Sequence, residues 1–153
     1  MLFRSKRGLL DDLGPTLAVA RVLVEAYRRG GTMFVFGNGG SAADAQHIAA
    51  ELVGRFRHER RAFRADALTV NTSILTAISN DYSFDRVYAR QLEAVGRPGD
   101  VAVGLSTSGK AASVILAFEK ARELGMTTVA MTGSAASPAS ALADHWKIGR
   151  AHV

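Results

Sequence analysis

Met33-Phe34-Val35-Phe36-Gly37-Asn38-Gly39-Gly40-Ser41 is the stretch that decides how this chain folds. An apolar run stops at a Gly/Asn/Ser turn, and a helical pattern from Ala42 to Arg55 begins at once. A short apolar run bounded by turn residues reads as a buried strand. Gly37, Gly39 and Gly40 permit positive φ and close approach of another group to the backbone. Ser41 is the expected N-cap, and the first N–H groups of the helix then point at whatever sits above the loop. Asp44, His47, Glu51 and Arg55 follow at spacings of three, four and four, which puts them on one helix face.

The same pattern returns downstream. Val101 to Leu105 is a near-continuous apolar run, as expected of a parallel strand covered on both faces. It ends at Ser106-Thr107-Ser108-Gly109, and a helix is expected from about 110 to 124 with Gly125 at its C′ position. Met126 to Met131 is the next strand, closed by Thr132-Gly133, with a short helix at about 138–143. Upstream, a helix over 15–29 has Leu17, Ala20, Val24 and Tyr27 as its apolar stripe, with Pro15 in its first turn and Gly30-Gly31 closing it. Strand one is expected at 32–36 and helix two at 41–54, burying Ala45, Ile48, Ala49 and Leu52. A second strand at 65–70, a short helix at 72–79 and a helix at 84–95, with Val87, Leu92 and Val95 inward, complete the reading. Alternating strands and helices with short loops predict one α/β domain over 1–153, a three-layer doubly wound, mostly parallel sheet flanked by helices. Ligands of such sheets bind beyond the carboxyl ends of the strands, where both Gly/Ser loops lie. Asp144 to Val153 leaves room for at most one short strand and no closing helix, so a fragment is expected, or a non-native tail at 147–153.

The 153 residues suffice for a real core, and 48% hydrophobic with 22% charged residues is ordinary for a globular domain. There is no cysteine, which excludes disulfides and thiolate metal sites. No apolar run approaches the roughly 20 residues that span a bilayer. The basic N-terminus, Met1 to Arg7, is not followed by a secretory apolar segment, so a cytoplasmic protein is expected. The net charge of +5 gathers near the N-terminus and at Arg55, Arg57, Arg60, Arg61 and Arg64. No nucleic-acid motif surrounds these arginines, and a solvated loop or a partner surface is the preferred reading.

The two loops supply hydroxyls, backbone N–H groups and helix N-termini, a donor density that suits a phosphoryl group. Helix capping alone is the plain alternative. Neither loop is a Walker A sequence, and Gly37-Asn38-Gly39-Gly40-Ser41-Ala42 fails the G-x-G-x-x-G pattern at its last position, which disfavours nucleotide cofactors. His47 and Glu51, at i and i+4, suit a metal ion or a base with its partner, and equally a surface ion pair. Asn80-Asp81 reads as a turn or an N-cap. His58, His145 and His152 read as incidental.

Gly37-Asn38-Gly39-Gly40-Ser41, then Asp44-Ala45-Gln46-His47-Ile48-Ala49-Ala50-Glu51-Leu52 and Gly54-Arg55-Phe56, closely resemble the phosphoheptose isomerase family of the sugar isomerase (SIS) domain superfamily. Asn80-Asp81, Glu93 to Arg97 and Gly104 to Gly109 continue the resemblance, which covers roughly 15–145. It implies a flavodoxin-like SIS fold and the conversion of D-sedoheptulose 7-phosphate to D-glycero-D-manno-heptose 7-phosphate. By resemblance, Asn38, Gly39, Gly40 and Ser41 line the sugar-phosphate site, and Ser106, Thr107 and Ser108 grip the phosphate. Asn80, Asp81 and Arg55 contact the substrate, Glu51 is the catalytic base, and His47 with Glu51 contributes to a zinc site. Such chemistry needs a carboxylate base and a stabilised oxyanion but no redox cofactor. A homotetramer is implied too, since SIS domains share sites between subunits.

The chain also departs from the family. Ala111 stands where a further phosphate-contacting Ser is expected, after Lys110, and Ala50 replaces an acidic residue. The family's Gln and second His fall on a C-terminal helix beyond residue 153, so the closing strand and helix, two zinc ligands and the acid partner of Glu51 are expected to be missing, and activity to be poor or absent. The alternatives are a non-catalytic SIS regulator that binds the replication-initiator protein, or another sugar-phosphate SIS protein. The His47/Glu51 pair argues for the enzyme.

Overall fold

A computed structural model describes residues 13–133 and 136–148. The basic N-terminal segment, His152 and the end of the tail lie outside these residues. In chain order the elements are α1 (Gly14–Arg28), β1 (Met33–Gly37), α2 (Gly40–Val53), β2 (Ala65–Ala67), α3 (Thr72–Asp81), a 3-10 turn (Phe84–Arg86), α4 (Val87–Val95), β3 (Val101–Ser106), α5 (Ala112–Glu123), β4 (Thr127–Thr132), α6 (Pro138–Leu142) and β5 (His145–Ile148). The strands form one parallel sheet in the order β2-β1-β3-β4-β5. This is the doubly wound arrangement expected from the alternating strands and helices.

Strand alternation builds the two cores. Met33, Val35, Val101, Val103, Leu105 and Val129 face one way, onto Ala26 of α1 and Ala45 and Ala49 of α2. Phe34, Phe36, Ala102 and Ala130 face the other, onto Leu92 of α4 and Val114 and Phe118 of α5. Burying a large apolar side chain in such a layer contributes about 1.5–3 kcal/mol, so the sheet is the stable frame of the molecule. Gly104 makes room for this packing, because a Cβ there would lie 2.6 Å from Phe118 Cζ and 2.8 Å from Val114 Cγ1.

Some expectations are corrected. The stripe Leu17–Ala20–Val24 of α1 faces outward, with Leu17 52% and Val24 48% exposed. The neighbouring stripe, Val19, Val22, Leu23, Ala26 and Tyr27, covers the sheet instead. Val95 is likewise exposed, beyond the buried Val87 and Leu92. The second strand is shorter than expected, because after Ala67 the chain turns, Leu68 donating its N–H to Val35 O at 3.0 Å. A short strand, β5, occupies the sheet edge at 145–148 and pairs with β4 from Val129↔His145 to Thr132↔Ile148. The residue before it, Asp144, accepts from the N–H and the hydroxyl of Thr128 at 2.9 and 2.8 Å. Burial opposes its ionisation, yet these two bonds, together with the charges of Arg122 and His145, outweigh it and hold the carboxyl below the ordinary value. Among the described residues, no helix is long and apolar enough to cross a membrane.

Candidate functional site

β1 leads by way of α2 to β2 on one side, while β3 lies on the other, so the strand order reverses between β1 and β3. A crevice forms at the carboxyl ends of strands at such a reversal. Gly37 is in register with Leu105 there, which sets the two Gly/Ser loops side by side. A Cβ on Gly37 would lie 2.6 Å from Leu105 O and 2.8 Å from Ser41 Cβ, so only glycine lets them meet. The N-cap of α2 is Gly39, not Ser41, and its φ of 57° and ψ of −122° suit glycine. Ser41 is already helical, donating its N–H to Asn38 O at 3.1 Å. No side chain caps α2 or α5. Both helix N-termini at the crevice therefore retain their partial positive charge for a ligand anion.

The loops are held from behind. Asn38 Nδ2 donates to Ser113 Oγ at 3.0 Å, and Tyr88 Oη donates to Gly37 O at 2.6 Å and to Asn38 Oδ1 at 2.9 Å. Burial pushes the Tyr88 hydroxyl up to about 12, partly opposed by the bond to Gly37. The Asn38 amide is thus committed to holding its own loop against α4 and α5. In the second loop, buried Ser106 accepts the Gly109 N–H on its Oγ at 3.1 Å, while Thr107 and Ser108 are exposed. Gly109 has a φ of 64°, and a Cβ there would overlap Ser137 Oγ. Thr107 O accepts from Gly133 N–H at 2.9 Å, and Gly109 O from Ala139 N–H at 3.0 Å. Ser137 and Ser140 form a capping box at the start of α6 directly beneath. The outcome is a rigid loop with two hydroxyls, not three, turned to solvent.

The remaining expected residues lie elsewhere. His47 Nε2 and Glu51 Oε1 are 3.7 Å apart on α2, the histidine well exposed and the glutamate partly so. Arg55 pairs with Glu59 at 3.9 Å instead of Glu51. Asn80 and Asp81 end α3 instead of opening a helix; Asn80 Nδ2 donates to Asp81 Oδ1 at 3.0 Å, and both residues are exposed. Glu51 follows Ser41 by ten helical residues, an axial rise of about 15 Å. Within one chain, then, the hydroxyl loops stand at the start of α2 and Glu51 near its end, with His47 midway between.

Two atoms 3.7 Å apart, as in the His47/Glu51 pair, can both bind one zinc ion at about 2.0–2.2 Å in a near-tetrahedral arrangement, so the pair fits as two ligands. A catalytic zinc needs three protein ligands, and among the described residues no third His, Cys, Asp or Glu completes the group. Within one chain the described residues therefore offer two donors, His47 and Glu51, and not a complete zinc site.

The sequence carries no local sign of the roles of Tyr88, Ser113 and Ser137, and Arg60 reads there as part of a solvated loop or a partner surface. For Tyr88 the general rule is that a tyrosine on a buried helical stripe needs an acceptor for its hydroxyl. Arg60 is no solvated cation. Its guanidinium donates to Glu51 O at 2.8 Å and Leu52 O at 2.9 Å and lies 4.4 Å from the Phe63 ring centroid.

With this geometry in place, comparison with known proteins gives a consistent result. The SIS domain family matches residues 12–133. A phosphoheptose isomerase from Roseiflexus sp. is 57% identical over 141 residues, covering 92% of this chain and 70% of that protein. The structure of phosphoheptose isomerase from Neisseria gonorrhoeae superposes with a TM-score of 0.87 at 42% identity, covering 94% of this chain and 77% of the other. That of a phosphoheptose isomerase from Francisella tularensis gives 0.88 at 31% identity, covering 94% and 78%.

Proposed function

The chain belongs to the phosphoheptose isomerase family of SIS-domain proteins, and from that premise we propose that it isomerises D-sedoheptulose 7-phosphate to D-glycero-D-manno-heptose 7-phosphate. The observation that carries the reading is the pair of uncapped helix N-termini and hydroxyl loops held side by side at the β1/β3 reversal. In the proposed assignment, Thr107 and Ser108 donate hydroxyls to the phosphate, and buried Ser106 keeps the loop in shape. Gly39, Gly40 and Ser41 form the adjoining wall, with Asn38 fixed behind them by Tyr88 and Ser113. Glu51 removes a proton from C1 of the ketose as O2 gains one and the enediol forms; the carbon proton then returns to C2 while the C1 hydroxyl gives up its own, leaving the C1 aldehyde. His47, beside Glu51, is placed to exchange the hydroxyl proton. Arg55, Asn80 and Asp81 are assigned to the sugar hydroxyls.

The axial separation of about 15 Å between loop and base favours a site shared between two copies, loops from one and the α2 face from the other. The outward apolar stripe of α1, with Leu13, Leu17 and Val24 exposed, supports self-association, since monomers seldom leave such a stripe bare. Turnover of sedoheptulose 7-phosphate by Glu51→Gln against the parent tests the base. A loss of about a hundredfold or more is expected with the protein still folded; unchanged turnover would remove Glu51 from the mechanism.

A further inference from the structure

We propose that the chain has a second anion site, a cleft at the opposite, amino-terminal end of the strands, which takes a small diphosphate-bearing ligand. The cleft, of about 920 Å³, opens where β1, β2 and β3 begin, about 16 Å along β1 from the loops described above. Its floor is the contact of two turns. A Cβ on Gly31 would lie 2.7 Å from Gly99 O, so the backbones touch, and Gly99 has a φ of 89°. Asp100, buried beneath, ties the turns together, its Oδ1 accepting Thr32 N–H at 2.7 Å and its Oδ2 accepting Arg97 N–H at 2.9 Å.

Arg29, Arg64 and Arg97 line the walls of this floor. Arg29 has a distant partner, Glu25 at 3.9 Å. Arg64 is aimed by its Nε, which donates to Thr32 Oγ1 at 3.0 Å. Among the described residues, neither the Nη atoms of Arg64 nor the guanidinium of Arg97 has a hydrogen bond or ion pair. Two unpaired forks on a rigid floor match the several oxygens of a diphosphate better than one carboxylate, because guanidinium binds such groups bidentately. Asp66, exposed on β2, is the one carboxylate of the cleft left for the ligand to meet, because both oxygens of Asp100 are already bonded. Neither the hydroxyl loops nor Glu51 contributes to the cleft, so this inference is independent of the isomerase reading.

Titration of the isotope-labelled full chain with inorganic pyrophosphate, followed by amide NMR, tests it. Shifts are expected at Gly30, Gly31 and Gly99. Arg64→Gln with Arg97→Gln is expected to weaken that binding about tenfold or more, and Asp66→Asn to tighten it about twofold to fivefold. Arg61→Gln, outside the cleft, is the control and leaves it unchanged. Shifts confined to Gly39–Ser41 and Ser106–Gly109, or no weakening in the double variant, would overturn the proposal. Asp66→Asn, an exposed change, keeps the test decisive where the double variant fails to fold, since unaltered or weaker binding there counts against the site.

Discussion

The hydroxyl of Tyr88 sits where two elements and a loop converge, and its removal separates holding from touching. Tyr88→Phe leaves Gly37 O and the Asn38 amide short of a buried partner, a cost of about 1–2 kcal/mol. Thermal melting is expected to fall by about 2–8 °C. Because Tyr88 shapes the loop and is assigned no reacting atom, KM for the sugar phosphate is expected to rise more than kcat falls; an equal fall in kcat with KM unmoved would contradict that role. Tyr27 differs in that its hydroxyl is buried without a hydrogen-bond partner among the described residues. Its ring stacks on Phe63 with centroids 4.7 Å apart, and burial pushes its hydroxyl up to about 12, partly opposed by Arg60. Both phenols therefore hold their protons more tightly folded than unfolded. The stability this represents is complete below the ordinary value of 10 and is lost as pH rises toward about 12. Melting temperature followed from pH 9 upward is expected to drop, and the drop to be shallower in Tyr27→Phe with Tyr88→Phe.

α2 carries the proposed base at its far end, and that end is finished by a residue from outside the helix. Arg60 brings a cation to the last carbonyls, where the helix dipole is negative, and folds the connection back so that Phe63 N–H reaches Leu52 O at 3.1 Å. Arg60→Ala is expected to cost about 1–2 kcal/mol and to speed amide exchange at 52–54 while leaving α5 unchanged. If Arg60 were only a solvated charge, melting would hardly move. The case also marks what the sequence tells and what it withholds. Strands β1, β3 and β4 and helices α2 and α5 were legible because apolar runs and Gly-bounded turns act locally. The hydroxyl loops were legible for the same reason. Arg60 was not, because its acceptors come from an element already finished. The outward stripe of α1 was misread because two apolar stripes lie side by side, and only the sheet selects between them. β5 was legible only as room for one short strand, because pairing with β4 defines it.

At the scale of the whole molecule, the difficulty is that one chain carries the residues of the proposed site without bringing them together. α2 starts at the crevice and runs back along the sheet, so Glu51 ends about 15 Å from Ser41 along the helix axis. No side-chain rotation closes that distance; a second copy can. A symmetric pair in which the loops of each copy face the α2 of the other would form two equivalent sites, each needing one intact loop and one intact base. This can be measured by complementation. Chains carrying Glu51→Gln, and chains carrying Thr107→Ala with Ser108→Ala, are each expected to be inactive alone. Co-expressed, half of randomly formed pairs are mixed, and each mixed pair holds one site with both parts intact, so about a quarter of parent turnover is expected to return. A self-contained site predicts no recovery at any mixing ratio, because every chain then carries its own defect. The expected recovery follows from helix geometry and random pairing alone, so its absence would count against the shared site and not against the fold.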